Sequence, residues 1–237
     1  MTVGALLAGV VMALLQIAVP LTDDRAGLTT AVVVAFAATT TLLAAARWGG
    51  RRALLTGAVV VGGTLALEAV ATRTGWPFGD YEYGDALRPT VAGVPLAVAL
   101  AWWAMAVPAR EVAARLTPAG WRRIALGAVA LTAWDVFLDP QMVDEGYWTW
   151  AGGGPWRDVP LSNYAGWLVA SAVVMAVLDR LLPGPGDDPA LLALYTWWAG
   201  LTALGFLFFF GDPLVGLVGG LCMLPLAAFA WRAELRA

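Results

Sequence analysis

Three carboxylic acids fall within apolar stretches of the sequence, where an acid is costly unless it is paired or neutralised. Asp135 and Asp139 stand four residues apart, which places them on one helix face, and Pro140 is expected to end that helix. Glu68 lies about one turn before Arg73 in another apolar stretch. Two carboxyl groups close together in apolar surroundings do not both ionise easily, so one stays a proton donor and the other an acceptor. These three acids are the candidate acid–base catalysts.

Two long aromatic connections, residues 73–90 and 140–163, flank the acids. The first contains the run GWPFGDYEYGD and the second the run DEGYWTWAGGGPW. Electron-rich rings beside a proton donor suit a reaction through a cation, because ring faces attract positive charge. Asn163, at the end of the second connection, could orient a water molecule.

Both features also have structural explanations. The rings are typical of an aromatic belt at a membrane surface. Glu68 or Asp139 could instead pair with Arg73 or Arg88 at the interface, which would neutralise these acids without a catalytic role. The occurrence of acids and rings together at one level of the membrane favours a functional site.

The composition limits the chemistry that the chain can perform. Of its 237 residues, 60% are hydrophobic and 13% charged, and all 14 basic residues are arginines. Without histidine, histidine-box di-iron centres and His-ligated haem are excluded, and without lysine no Schiff base can form. The single Cys222 allows neither an internal disulfide nor an iron–sulfur cluster. We expect an enzyme without a metal or cofactor, and the scattered arginines argue against nucleic acid as a partner.

Apolar runs long enough to cross a bilayer predict an all-α, polytopic transmembrane helical bundle of seven to eight spans. The first run lacks a basic flank, so it is predicted to be a retained span rather than a signal peptide. The whole chain, residues 1–237, is predicted to be one membrane domain. The eight spans are placed at residues 3–21, 27–46, 53–72, 91–108, 124–138, 164–182, 191–210 and 213–231.

The distribution of arginine predicts the orientation of the bundle. Most arginines fall in the connections on one side, which favours a cytoplasmic location for that side and for both termini. The two aromatic connections then lie together on the opposite side. Long structured loops on one face of a rigid bundle are where sites tend to be built.

Four stretches of the sequence resemble the membrane carotenoid 1,2-hydratases, carotenoid biosynthesis proteins of the bisanhydrobacterioruberin hydratase type. The resemblance covers roughly residues 62–182, and its most specific part is the Asp-x-x-x-Asp-Pro-x-Met element with the Trp-x-Trp that follows. The Pro-Leu-x-Asn-x-x-Gly-Trp element is nearly as specific. The stretches are TGWPFGDYEYGD (74–85), GVPLAVALAWW (93–103), AWDVFLDPQMVDEGYWTW (133–150) and VPLSNYAGW (159–167).

The resemblance implies a cofactor-independent hydro-lyase that adds water across the terminal 1,2 double bond of an acyclic carotenoid end, giving a tertiary alcohol. The implied substrate is a lycopene-like or C50 acyclic carotenoid taken from membrane lipid, with water as the second reactant. Other membrane enzymes of carotenoid synthesis are further implied partners. The implied location is the cell membrane of a prokaryote, as a multi-pass protein.

Residue roles follow from the matched motifs. Asp135 is the first choice of proton donor, with Asp139 tuning it or positioning water, and the two assignments can be exchanged. Glu68 is the further catalytic acid. The residues expected to bind the end group are Asp80, Tyr81, Tyr83, Trp134, Trp148, Trp150, Asn163 and Trp167.

Two other functions remain open at this point. The same cation could lose a proton or close a ring, which would make the protein a carotenoid isomerase or cyclase. A proton-coupled transporter or a carotenoid-binding membrane protein is the alternative from another class, because intramembrane acids also mark proton transport. Against transport, the sequence has no evident inverted repeat, and its acids lie toward one side of the membrane.

Overall fold

Helices account for most of the chain. The computed structural model describes residues 2–22 and 25–234. Within this part, seven helices are long and apolar enough to cross a membrane. The helices are α1 (Val3–Ala18), which continues into a 3₁₀ turn (Val19–Leu21), α2 (Arg25–Trp48), α3 (Gly50–Thr74), α4 (Leu96–Leu116), α5 (Trp121–Asp144), α6 (Leu161–Leu181), α7 (Pro189–Phe208) and α8 (Pro213–Glu234). The predicted all-α membrane bundle is confirmed. The orientation predicted for the termini falls on residues 1 and 235–237, which lie outside the described residues.

Helix α4 lies at the centre of the bundle, and α5 packs against it. Every residue of α4 from Ala101 to Ala114 is buried. Helix α5 is the one outside the set of seven spans, since it carries two arginines near its start and the two aspartates near its end. Its carboxyl-terminal half therefore brings acids into the interior of an apolar bundle.

The expectation that Pro140 ends its helix is wrong, because α5 runs through it to Asp144. A proline inside a helix removes one N–H, which leaves the carbonyl four residues earlier without its donor. Here that carbonyl belongs to Val136, and it accepts a hydrogen bond from the indole Nε1 of Trp156 at 3.3 Å. The side chain from the following connection thus replaces the missing backbone donor.

The same arrangement occurs in α4. Pro108 lies inside the helix and frees the carbonyl of Ala104. The hydroxyl of Thr40, on α2, donates to that oxygen at 2.8 Å. Both interior prolines of the central pair of helices are therefore accommodated by a donor from a neighbouring element.

The two aromatic connections meet, as the sequence predicts. Strand β1 (Tyr81–Tyr83) lies in the first connection and pairs antiparallel with a strand from the second, Trp148–Trp150. A short hairpin, β2 (Thr90–Val91) and β3 (Val94–Pro95), leads into α4; the Trp148–Trp150 strand is therefore β4. Pairing of β1 with β4 fixes the aromatic side chains over one end of the bundle.

The opposite end of the bundle carries buried ion pairs. Arg110 and Arg123 both contact Asp179, at 3.3 and 3.0 Å. Glu111, which is fully buried, pairs with Arg47 at 3.3 Å. Removing one member of a buried pair leaves the other charge uncompensated, so these contacts fix how the ends of α2, α4, α5 and α6 meet.

Candidate active site

Asp135 and Asp139 lie side by side in the interior, as their helical spacing predicts. The side chain of Asn163, at the start of α6, connects them: its Nδ2 donates to Asp135 Oδ2 at 2.9 Å and also to Asp139 Oδ2. Trp148 Nε1 donates to the other oxygen of Asp139 at 3.1 Å. The three polar side chains of the cluster are 0–2% exposed.

Two carboxyl oxygens that converge on one amide nitrogen lie close to each other. Among the described residues, neither Asp135 nor Asp139 forms an ion pair with an arginine. Asp135 Oδ1 is buried and accepts no hydrogen bond from the described part of the chain. Adjacent buried carboxyl groups without a cation do not both ionise easily, so this pair retains a proton.

Glu68 occupies a different environment a short distance away. Its Oε2 accepts hydrogen bonds from the hydroxyl groups of Tyr81 and Tyr83, the latter at 2.8 Å. Its Oε1 accepts a hydrogen bond from Trp102 Nε1 at 3.2 Å. All three donors are neutral, and both carboxyl oxygens act as acceptors. Glu68 is therefore arranged as the acceptor of the site.

The tyrosine hydroxyl groups that contact Glu68 remain donors. Burial and the negative charge of Glu68 raise the pKa of Tyr81, and the same two causes raise the pKa of Tyr83. Neither phenol therefore loses its proton under physiological conditions, and both hold the carboxylate in place.

The alternative in which arginines neutralise these acids is wrong. Arg73 donates to the backbone carbonyls of Ala69 and Ala92. Arg88 pairs with Asp85, at 2.6 Å. Neither guanidinium reaches Glu68 or the aspartate pair, so the acids belong to a network of neutral donors.

A ring contact joins the two acidic clusters. The ring of Tyr83 meets that of Trp148 edge to face, with centroids 5.8 Å apart. Tyr83 bonds to Glu68, and Trp148 bonds to Asp139. The pairing of β1 with β4 aligns these two rings opposite each other. The sheet formed by the connections therefore sets the spacing between the acceptor and the aspartate pair.

A continuous set of indole rings borders the site on its inner side. Trp102 and Trp167 stack with centroids 4.0 Å apart. Trp134 meets Trp167 edge to face at 6.3 Å and Trp198 at 6.0 Å. Most of these rings are nearly fully buried, so they do not belong to a surface aromatic belt. All four tryptophans line the cavity beside the acids, and ring faces attract positive charge.

These groups line one cavity of about 210 Å³. Glu68, Asp139 and Asn163 form its polar end, and the rest of the wall is largely apolar. Asp135 is not among the residues that line it. The substrate-binding residues predicted from the sequence that do line it are Tyr81, Tyr83, Trp134, Trp148, Trp150, Asn163 and Trp167.

Asp80 is the predicted substrate-binding residue that lies elsewhere. Its side chain is exposed, and it is absent from the cavity wall. Its backbone carbonyl accepts a hydrogen bond from the Ala151 N–H at 3.0 Å. Asp80 therefore contributes to the junction of the two connections.

Sequence reasoning missed several residues of the cavity. Trp102 donates to Glu68 and forms part of the wall, as does Trp198. Trp102 falls in the matched stretch 93–103, which was a usable signal, whereas Trp198 lies outside every matched stretch. The side chains of Gln16 and Gln141 also reach the wall.

The arrangement can transfer a proton and stabilise a cation. The aspartate pair can hold a proton, Glu68 accepts three hydrogen bonds, and the tryptophans line the same cavity. Among residues 2–22 and 25–234, no three His, Cys, Asp or Glu side chains lie close enough together to hold a metal ion.

Comparisons with known proteins show the family of the chain. A curated relative, bisanhydrobacterioruberin hydratase of Haloarcula japonica, is 31% identical over 118 residues. The match covers 48% of this chain and 40% of the length of that relative. No solved structure matches the chain. The family model described as "Carotenoid biosynthesis protein" matches residues 27–226, which include every acid and ring of the site. The resemblance stated from the motifs is confirmed: the chain belongs to the carotenoid biosynthesis protein family.

Proposed function

We propose that the protein adds water across the terminal 1,2 double bond of an acyclic carotenoid end group. One observation carries the proposal: the aspartate pair and Glu68, two carboxyl sites with different surroundings, lie together at the polar end of one largely apolar cavity. The aspartate pair supplies a proton, and Glu68 supplies a fixed negative charge. The relative from Haloarcula japonica is named a hydratase, which supports the same reaction class.

The first step is protonation of the alkene. Asp139 lines the cavity, whereas Asp135 does not, so Asp139 is the group that reaches the substrate. It transfers its proton to C2, the electron pair of the double bond forms the new C–H bond, and C1 becomes a tertiary cation. General acids contribute typically about 10²–10⁴-fold to a rate, and an unactivated alkene depends on this contribution heavily.

The second step is capture of the cation by water. Glu68 and the faces of Trp102 and Trp134 stabilise the positive charge at C1. A water molecule attacks C1 and loses a proton to Asp139, which restores the acid. The sum is one alkene plus one water giving one tertiary alcohol. No electron is gained or lost, so the reaction needs no redox partner.

Asp135 and Asn163 act through Asp139. Asp135 lies against Asp139, and its negative charge would be costly beside a second ionised carboxylate. The neighbour therefore keeps the proton on the pair until substrate arrives. The Nδ2 of Asn163 donates to both aspartates, so this side chain positions the acids.

Pigment analysis in a lycopene-producing host tests the proposal. The wild-type chain should convert lycopene to products heavier by the mass of one or two water molecules. Asp139→Asn should insert into the membrane and leave lycopene unchanged. Asp80→Asn is the matched control, because Asp80 is an exposed aspartate from the connection that holds Tyr81 and Tyr83, and this variant should behave as the wild type.

Two outcomes would redirect the assignment. A product with the mass of lycopene but a changed absorption or retention would indicate that the same cation loses a proton or closes a ring. Unchanged lycopene with membrane-inserted wild-type protein would contradict any acid chemistry on this substrate.

A further inference from the structure

The exposed residues of the cavity wall all come from two elements. Ile17, on α1, is 44% exposed, and Leu21, on the 3₁₀ turn after it, is 69% exposed. Leu204, on α7, is 50% exposed, and Phe209, directly after α7, is 59% exposed. All four side chains are apolar. The remaining wall residues are buried or half-buried, so the cavity opens between α1 and α7.

A hydrogen bond between α1 and α7 marks one edge of the opening. The indole Nε1 of Trp197 donates to Gln16 Oε1 at 3.1 Å, which joins α7 to α1. Leu204 lies two helical turns farther along α7, roughly 10 Å beyond Trp197. A side-chain hydrogen bond therefore closes the cleft at one level, and the cleft opens beyond it toward the end of α7.

Apolar side chains on the outer face of a membrane helix face lipid. An opening bordered by four of them suits contact with the hydrocarbon region better than contact with water. The opposite end of the same cavity holds Glu68, Asp139 and Asn163, each at most 4% exposed. The cavity is thus polar at its closed end and apolar at its open end.

The cavity is too small for a whole carotenoid. Its volume of about 210 Å³ is below the roughly 300–1,000 Å³ of typical small-molecule pockets. A linear polyene is about as long as the hydrocarbon core is thick, roughly 30 Å. The end group therefore fits inside, while most of the chain remains outside.

We propose that the cleft between α1 and α7 is a lateral opening through which an acyclic carotenoid inserts one end directly from lipid. The rest of the polyene then lies between Ile17 and Leu204 and extends into the bilayer. This inference rests on the proposed function, because it names the path by which that substrate reaches the acids.

Narrowing the opening provides the test. Ile17→Trp and Leu204→Trp add bulk at its two sides. Leu14→Trp, on α1, and Leu221→Trp, on α8, add the same bulk at lipid-facing positions outside the cavity wall, where the side chains are 63% and 73% exposed. Each variant is given lycopene and, separately, a short acyclic isoprenoid hydrocarbon with the same end group.

The opening predicts a difference that depends on substrate length. The two opening variants should hydrate lycopene at least about tenfold more slowly than the wild type, while the short hydrocarbon changes less than about twofold. The two control variants should match the wild type on both substrates. Rates are divided by the amount of membrane-inserted protein, so that poor folding of a variant is not mistaken for obstruction of the opening. Equal rates of lycopene hydration in opening and control variants, or equal losses on both substrates, would overturn the proposal.

A binding measurement keeps the opening testable even if hydration is absent. In a Cys222→Ser background, a cysteine at Leu204 or at Leu14 is reacted with an apolar maleimide in vesicles with and without lycopene. Lycopene should protect Leu204→Cys severalfold and leave Leu14→Cys unprotected. Equal protection at both positions would overturn the opening, whereas selective protection without hydration would refute the proposed reaction alone.

Discussion

The indole of Trp156 donates to the backbone carbonyl of Val136, the oxygen that Pro140 leaves without a helical partner. This bond ties the connection after β4 to the helix that carries both aspartates. It allows α5 to continue past the proline, so that Asp139 is held within a helix rather than at its end.

A double-mutant cycle tests this relationship. Trp156→Phe should lower the free energy of unfolding by about 1–3 kcal/mol, because the carbonyl loses its donor. In a Pro140→Ala background, the backbone N–H of residue 140 donates to the Val136 carbonyl. Trp156→Phe should then lower the free energy of unfolding by a smaller amount, the difference being about 1 kcal/mol or more. The packing lost with the indole is common to both backgrounds and cancels. Unfolding of purified protein in detergent gives the four values, and an equal cost in both backgrounds would contradict the arrangement.

The aspartates should differ in their contribution to turnover. Asp139→Asn removes the acid that lines the cavity, so hydration should fall by about 10²–10⁴-fold. Asp135→Asn keeps the bond geometry but removes the repulsion that holds the proton on its neighbour, and a smaller loss, about tenfold, is expected. The measurement is product formed per membrane-inserted protein. If Asp135→Asn proves the more severe change, the proton donor is Asp135.

Glu68 should contribute through charge rather than size. Glu68→Gln keeps the volume but removes the charge that stabilises the cation, and its amide cannot accept as many bonds from the donors around it. We expect turnover to fall about 100-fold, with a much smaller change in KM, since the loss is specific to the transition state. Tyr83→Phe removes one of the three donors and should reduce turnover about tenfold. Normal turnover by the Glu68→Gln variant would show that Glu68 does not supply the negative charge that stabilises the cation.

The oxygen of the product should come from water. Cells grown in ¹⁸O-labelled water should yield labelled hydroxyl groups, and cells grown under ¹⁸O₂ should not, because protonation followed by water capture consumes no dioxygen. Metal chelators should leave the rate of purified protein unchanged. Label derived from dioxygen would replace the hydration mechanism with an oxygenase.

The aromatic connections should face away from the cytoplasm. In a Cys222→Ser background, Glu82→Cys and Thr149→Cys occupy paired, exposed positions of β1 and β4. A membrane-impermeant maleimide should label both in intact cells, because the arginine-rich end is expected inside. Ala119→Cys, between α4 and α5, should react only after permeabilisation. Labelling of the two paired positions from opposite sides is incompatible with the structure, and labelling of Ala119→Cys alone in intact cells would reverse the orientation.

Local spacing in the sequence predicts a large part of the site. The four-residue interval between Asp135 and Asp139 is sufficient to place them together, since helical periodicity fixes which side chains share a face. Thr72 ends the span predicted at residues 53–72. Glu68, four residues earlier, was therefore expected near the end of its helix. The meeting of the two aromatic connections followed from their common side of the bundle, which the arginine pattern indicates.

Contacts between helices could not be read in this way. The bond from Trp102 to Glu68 depends on the rotation of α4 against α3, which the spacing of residues within α4 does not fix. Helix propensity alone predicts that α5 ends at Pro140. The helix continues because Trp156, sixteen residues later, supplies the hydrogen-bond donor that the proline lacks. Asp80 belongs to the same motif as Tyr81, yet alternation along β1 directs neighbouring side chains to opposite faces.

A cavity with its acids at one closed end accepts only one terminus of a linear molecule at a time. A symmetrical carotenoid with two reactive ends must therefore withdraw, reverse its direction in the bilayer and insert again before its second end reacts. If the proposed reaction occurs, we expect turnover on such a substrate to be distributive: the singly modified pigment should accumulate first, and the doubly modified one should appear after a lag. The balance between the two pigments in a membrane then reflects the number of enzyme molecules per pigment and the time available, without any difference in affinity between the two ends.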